Sequence, residues 1–259
     1  MTELATEIFA VSQNAIFIGL FVFLRVGGVM AVLPAFGERS VPERVRLVLA
    51  IAFTLIVAPA VSGQVSEIID FYNNIFIILI AETVIGIALG LTIRFFIIAL
   101  QIAGSIAAQS TSLAQIFGTA SIEPLPAIGH FMVLGGLALA VLTGLHVRVA
   151  EALINSYVIF PPGSLPDPSV MGDWGVQQIG RAFNLAFTLA APFVIASFIY
   201  NLALGVINKA MPQLMVAFVG APAITAGGLI ILLLALPVLL NFWVQNLNNF
   251  LVNPYWQAR

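Results

Sequence analysis

The sequence predicts an all-α protein that crosses a membrane several times, with about six hydrophobic helices. Two observations support this class. Of 259 residues, 61% are hydrophobic and 8% are charged, and the mean hydropathy is +1.11, whereas soluble domains carry about 25% charged residues. Apolar runs of about 20 residues, which is the length needed to cross a hydrocarbon layer roughly 30 Å thick, recur along the chain.

Six segments are candidates for spanning helices, at residues 15–33, 47–61, 75–93, 131–147, 182–207 and 224–244. The second segment is short for a full crossing. The third continues as an apolar run past Arg94 to Ala108, and one helix over that run would measure about 50 Å. A helix of this length predicts a structure that extends beyond the bilayer. We expect one domain over residues 1–259.

The distribution of basic residues predicts the orientation of these helices. The first connecting loop holds Arg39, Arg44 and Arg46, and the loop at 62–74 has acidic residues without a base. Basic loops stay on the cytoplasmic side of a membrane. Six crossings would then place both termini and the proline-rich loop at 160–174 outside.

The composition argues against several classes of function. The net charge is -2 and the bases are spread thinly, so no surface for nucleic acid is expected. The chain has no cysteine and two histidines, His130 and His146. Neither histidine lies in an H-E-x-x-H pattern, and no spacing favours a dyad with Ser105 or Ser156. We therefore expect no catalytic residue, metal site or cofactor. We expect membrane lipid to contact the apolar helices.

Three ionisable residues interrupt the apolar runs: Arg25, Glu82 and Arg94. A charge at the centre of a spanning helix costs about 2.5–3.5 kcal/mol on insertion scales. Each should therefore face protein or water, although Arg94 can reach the interface with its long side chain. For Arg25 and Glu82 two interpretations stay open, a buried ion pair between helices and a proton relay.

Small and polar residues recur at helical spacing in two places. Glu82, Gly86 and Gly90 follow one another at four-residue intervals and predict a face on which another helix backbone approaches closely. Ser197, Asn201 and Gly205 form a second strip of this kind, suited to hydrogen bonding across a helix or subunit interface.

Residues 109–123 form a polar stretch with few apolar members, and Pro124 and Pro126 follow it. Proline ends a helix, so we expect an irregular loop between two helices. Such a backbone is tolerated at membrane depth only where protein or water satisfies its amides. The loop is either a pore element or an ordinary surface connection.

To this point the sequence fits a transporter, a channel or an assembly subunit. The stretch LRVGGVMAVLPAFGERSVPERVRLVLA at residues 24–50 resembles the N-terminal signature of the FliR family of flagellar export-gate proteins. The matching positions are Arg25, Pro34, Phe36, Gly37, Val41, Pro42 and Arg46.

A second stretch, NLALGVINKAMPQLMVAFVGAP at residues 201–222, looks like the most recognisable part of that family. Its matching positions are Asn201, Gly205, Pro212, Gln213, Gly220 and Pro222. Between the two stretches, residues 82–90, Gln109 and the Pro161-Pro162-Gly163 turn fall in the family's order. The resemblance covers essentially the whole chain.

The resemblance implies a fold of long and bent helical hairpins and one copy assembled with FliP and FliQ, with FlhB and FlhA nearby. It also implies a place in the bacterial inner membrane, in the flagellar basal body. Unfolded rod, hook and filament proteins would pass through the gate, and residues 109–123 would plug it. The plug residues would be Leu113, Gln115, Ile116, Phe117 and Gly118. Alternatives are the homologous subunit of a virulence injectisome and a secondary transporter for a small solute.

Overall fold

A computed structural model describes residues 2–37, 41–69, 75–111, 127–211, 216–252 and 254. Within these residues all regular structure is helical, as the sequence predicts. The helices in chain order are α1 (Thr2–Val32), α2 (Glu43–Ile69), α3 (Ile75–Thr111), α4 (Ala127–Leu142), α5 (Leu145–Ile159), α6 (Pro168–Ala210) and α7 (Val216–Val252).

Helices α1 and α2 pack together. After α1 ends, the Gly37 N–H donates to the Leu33 carbonyl at 2.6 Å, and Ala35 adopts a left-handed φ of 67°. The Pro42 carbonyl then accepts the N–H groups of Val45 and Arg46 at 2.9 and 3.1 Å, which begins α2. Helix α2 is longer than the predicted segment 47–61, so the expectation of a short second segment was wrong.

Helix α3 has 37 residues and is therefore about 55 Å long, as expected from the long apolar run. It contains no proline, and the hydroxyls of four residues, Thr83, Thr92, Ser110 and Thr111, donate to carbonyls within the helix. Thr111, for example, donates to the Ala107 carbonyl at 3.0 Å. Residues 109–111 are therefore helical, which corrects the prediction that the irregular loop begins at Gln109.

The predicted fourth helix, 131–147, is two helices. Gly144 has a φ of 86°, between α4 and α5. Glycine reaches this left-handed conformation without the steric penalty of a β carbon. The Gly144 carbonyl then accepts the N–H groups of Val147 and Arg148 at 3.0 and 3.1 Å and begins α5. The sequence prediction missed most of α5 because Arg148 and Glu151 end the apolar run after Val147.

Helix α6 begins inside the predicted proline-rich loop 160–174, which therefore ends at Asp167. The Asp167 carboxylate accepts the Ser169 backbone N–H at 2.8 Å and the Ser169 hydroxyl at 2.6 Å. This is an N-cap followed by proline at the first helical position, Pro168. The hydrogen bonds from Ser169 lower the pKa of Asp167.

The chain divides into two compact units that the sequence did not indicate. The first comprises Met1–Arg94, Gly144–Gln178 and Asn248–Arg259, and the second comprises Phe95–Thr143 and Ile179–Leu247. In the second unit the Trp243 indole N–H donates to the Phe96 carbonyl at 2.8 Å, and a β carbon on Gly104 would overlap Gly129.

Within the part of the chain that the structure describes, five helices are long and apolar enough to cross a membrane, or up to six if α4 and α5 are counted as one bent span. Many large apolar side chains on these helices are exposed, among them Leu55, Phe76 and Leu233 at 71%, 71% and 76%. Lipid or other protein chains suit such side chains better than water does. The fold is that of a multi-pass membrane protein, as the composition predicts.

Candidate functional site

Arg25 on α1 and Glu82 on α3 form an ion pair that is completely buried. The Arg25 Nε donates to Glu82 Oε2 at 2.7 Å, and Nη2 donates to Oε1 at 2.9 Å. Two parallel charge-assisted bonds of this kind fix both side chains in one orientation. The two apolar helices are therefore joined at one defined point.

Helix α5 and the turn after it complete the shell around this pair. Arg25 Nη1 donates to the Ser156 hydroxyl at 3.0 Å, and Nη2 donates to the Phe160 carbonyl at 3.1 Å. The Gly163 backbone N–H donates to Glu82 Oε1 at 3.0 Å. The Tyr157 ring lies over the guanidinium, with 3.7 Å between the Arg25 Cζ and the ring centroid, a favourable contact between a cation and an aromatic face.

The hydrogen bonds of this cluster determine what it can do. A buried charge is costly unless it is paired and hydrogen-bonded, and here the guanidinium and the carboxylate have both kinds of partner. The Ser156 hydroxyl donates to the Leu153 carbonyl at 2.6 Å while it accepts from Arg25, so it is not held by a histidine base. This geometry suits an anchor between α1, α3 and α5.

Glycines permit the close approach of α1 and α3 that this anchor requires. A β carbon on Gly86 would overlap the Arg25 carbonyl, and one on Gly90 would overlap the Val32 side chain. From the other helix, a β carbon on Gly28 would lie 3.0 Å from the Thr83 carbonyl oxygen. The strip of Gly86 and Gly90 therefore packs inside the chain, and Gly28 is a contributor that the sequence analysis missed.

Comparison with known proteins identifies the family. The profile of the family described as bacterial export proteins, family 1, matches residues 16–250. This chain belongs to the bacterial export proteins, family 1. The match includes Arg25, Glu82 and Gly163, so the whole anchor lies within the export-protein region.

The relatives of this export protein carry one description, flagellar biosynthetic protein FliR. The protein from Caulobacter vibrioides is 31% identical over 238 residues, covering 91% of this chain and 95% of the relative. Those from Escherichia coli K12 and Bacillus subtilis 168 are 28% and 29% identical. Both alignments cover 85% of this chain. They cover 84% of the Escherichia coli protein and 86% of the Bacillus subtilis protein.

The N-terminal motif of the export protein runs from Arg25 on α1 to Arg46 on α2. Pro34 is buried, whereas Phe36 and Gly37 are half-buried. A β carbon on Gly37 would lie 2.7 Å from the Leu33 carbonyl oxygen, which explains glycine there. Pro42 directly precedes α2, and the half-buried Arg46 follows one turn later and donates its N–H to the Pro42 carbonyl.

The C-terminal motif is only partly described. Asn201 and Gly205 lie on α6 and are exposed, and nothing lies within 4 Å of a β carbon built on Gly205. Gly220 accepts the Tyr200 hydroxyl at 2.7 Å through its carbonyl. Pro222 continues α7, and Pro212 and Gln213 lie outside the described residues.

The structure assigns no position to the predicted plug. Leu113, Gln115, Ile116, Phe117 and Gly118 lie outside the described residues, between the ends of α3 and α4 at Thr111 and Ala127. Gln109 is exposed near the end of α3. No cluster of three or more His, Cys, Asp or Glu able to hold a metal occurs among the residues that the structure describes.

Proposed function

We propose that this chain is the FliR-type subunit of the flagellar type III protein-export gate in the bacterial inner membrane. The observation that carries the proposal is the family match over residues 16–250. The relatives named flagellar biosynthetic protein FliR align with this chain over most of their length. Among the described residues, five helices suited to a membrane and a buried ion pair between two of them are consistent with a gate component.

The partners in this proposal are FliP and FliQ in one hetero-oligomeric gate, with FlhB and FlhA nearby. Unfolded rod, hook and filament proteins would be the cargo. The chain itself would catalyse no covalent reaction, because Arg25 and Glu82 are held by each other and by further hydrogen bonds inside the chain. Its contribution would be to form part of the gate wall and to hold the plug.

Deletion and complementation test the proposal. Removing the gene should abolish swimming in soft agar and secretion of hook and filament proteins into the medium, and a plasmid copy should restore both. A deletion strain that still exports flagellar proteins would overturn the flagellar assignment. If secretion of injectisome substrates is lost instead, the homologous injectisome subunit is the better assignment.

The plug is a second part of the proposal. Leu113, Ile116 and Phe117 are large apolar residues in a stretch of mostly polar and small residues. An apolar constriction excludes water from a narrow passage. The stretch connects the end of the 37-residue α3 with α4. We place the closing element of the gate here, with Gln115 between its apolar residues and Gly118 directly after them.

Leakage of small solutes into cells tests whether these residues close the gate. Changing residues 113–117 to glycine and serine should increase the entry of a small osmolyte into cells that assemble the gate. Leu165→Ser is the matched control, because Leu165 is an apolar loop residue that is 55% exposed and lies outside the plug. Equal leakage in the two variants would contradict the plug assignment.

A further inference from the structure

The last residue of α3, Thr111, is held inside the second compact unit, directly before the segment assigned to the plug. Thr111 is buried, and α4 begins beyond that segment at Ala127. The Thr111 hydroxyl donates to the Ala107 carbonyl at 3.0 Å. This bond within the helix selects one orientation of the threonine side chain, so its methyl group has a defined position.

Gly228 on α7 is the neighbour of that methyl group. A β carbon on Gly228 would lie 2.5 Å from Thr111 Cγ2 and 2.8 Å from Thr111 Cβ, whereas carbon atoms rest about 3.5–4.0 Å apart. Rotation of the threonine could move Cγ2, but Cβ is fixed to the backbone. Glycine at position 228 therefore allows the end of α3 to pack against α7 at this separation, and a larger residue does not.

The start of α4 is held by a second contact of this kind. A β carbon on Gly104 of α3 would overlap the Gly129 α carbon and would lie 2.8 Å from the Gly129 nitrogen. Gly104 and Thr111 are seven residues apart, which is about 10 Å along one side of α3. The helix ends that border the plug segment are therefore both held by contacts that leave no room for a β carbon.

Another glycine contact in the same unit does not restrict the backbone in this way. A β carbon on Gly135 of α4 would lie 2.8 Å from Leu240 Cδ1 on α7. That atom is the far end of a flexible side chain, and leucine can change rotamer to relieve the overlap. A substitution at Gly135 therefore perturbs the packing of α4 on α7 without requiring a helix end to move.

We propose that Gly228 is a positioning residue for the plug and acts through Thr111. Leu113, the first plug residue, follows Thr111 by two residues, so a displacement of the α3 end is passed to it through little intervening chain. A methyl group at position 228 would displace that end by about 1 Å. An apolar constriction excludes water only while it is narrow. This inference rests on the proposed function and on its plug assignment.

The test compares two single changes in cells that assemble the gate. Gly228→Ala should raise the entry of a small osmolyte above the wild-type level, towards that of the variant with glycine and serine at 113–117. Gly135→Ala is the matched control, because it adds the same methyl group at a glycine facing α7, and entry should stay at the wild-type level. Recovery of FliP with each variant measures assembly separately from leakage. Equal entry with both changes would overturn the proposal.

A glycine exchange distinguishes positioning from general packing. In Gly228→Ala/Thr111→Gly the new β carbon on α7 meets a residue without a side chain, so the α3 end can return to its place. Osmolyte entry should then fall back towards the wild-type level. If Gly228→Ala alone does not assemble, the exchange variant is compared with the 113–117 variant. Leakage of the exchange variant equal to that of either comparison protein would refute the role of Gly228.

The same measurements distinguish a failure of this inference from a failure of the proposed function. If the 113–117 variant does not leak, the plug assignment fails, and the role of Gly228 fails with it. If deletion of the gene leaves flagellar export intact, the proposed function itself fails. Leakage in the 113–117 variant together with wild-type entry in Gly228→Ala would contradict the positioning role alone.

Discussion

Gly86 on α3 lies in direct contact with the backbone carbonyl of Arg25 on α1, and a β carbon on Gly86 would overlap that oxygen. The same contact places the Arg25 guanidinium 2.7 Å from the Glu82 carboxylate, one turn earlier on α3. Backbone proximity and charge pairing therefore depend on each other at this point of the fold.

Gly86→Ala should destabilise the protein, because the two backbones must separate and the ion pair must lengthen. We expect a loss of about 1–3 kcal/mol, the usual range for an overpacked core. Thermal unfolding in detergent and the level of protein in the membrane fraction would measure it. Gly19→Ala on α1, where a β carbon meets nothing within 4 Å, is the control and should be neutral or stabilising. An equal effect of both changes would contradict the close approach.

Removing one member of the ion pair should cost more than removing both. Glu82→Leu leaves a buried guanidinium unpaired, and such losses are about 3–5 kcal/mol. In the double variant Arg25→Met/Glu82→Leu no charge remains, so its loss should be smaller than the sum of the two single losses. Unfolding free energies of the four proteins form the cycle that measures this coupling. Strict additivity would show that the two groups do not act as a pair.

Ala35→Gly should stabilise the connection between α1 and α2. Ala35 has a left-handed φ of 67°, a conformation that costs a non-glycine residue about 1–2 kcal/mol. Part of the gain is lost to the greater freedom of glycine in the unfolded chain, so we expect about 0.5 kcal/mol net. Ala52→Gly, at an exposed position inside α2, should have the opposite sign. A lower melting temperature for Ala35→Gly would contradict the assignment.

The cap of α6 should make stability depend on acidity. Hydrogen bonds from Ser169 lower the pKa of Asp167 below its usual 3.8. Because the folded-state pKa is the lower one, the cap contributes above pH 3.8 and is lost as pH falls through the folded value. Melting temperatures of the wild type and Asp167→Asn should therefore differ less at about pH 3 than at neutral pH. A constant difference would show that the carboxylate does not titrate with folding.

Much of the fold follows from apolar run length alone. The absence of charge over long segments indicates membrane helices, and the run from Ile75 to Ala108 predicts α3 nearly to its end. The break at Gly144 was missed, because a change of backbone conformation leaves the hydropathy unaltered. The start of α6 at Pro168 was missed because proline was interpreted as a loop residue, although it is favoured at the first position of a helix.

Of the residues in the candidate site, only the two charged ones could be predicted from the sequence. A charge in an apolar helix is visible in the sequence, so Arg25 and Glu82 were found and their pairing was one of two interpretations. Their other partners include the Phe160 carbonyl and the Gly163 N–H. Every residue has such backbone groups, so composition cannot identify them. Tyr157 was missed because the sequence shows it only as one more buried aromatic residue. Nothing in the sequence shows that its ring lies over a guanidinium.

The arrangement of the anchor along the chain has a consequence for biosynthesis. Arg25 precedes Glu82 by 57 residues and Ser156 by 131 residues. A ribosome therefore delivers the guanidinium to the membrane long before its last acceptors are synthesised. A nascent chain that ends between α3 and α5 contains both members of the salt bridge but lacks Ser156, Phe160 and Gly163, which complete its hydrogen bonds.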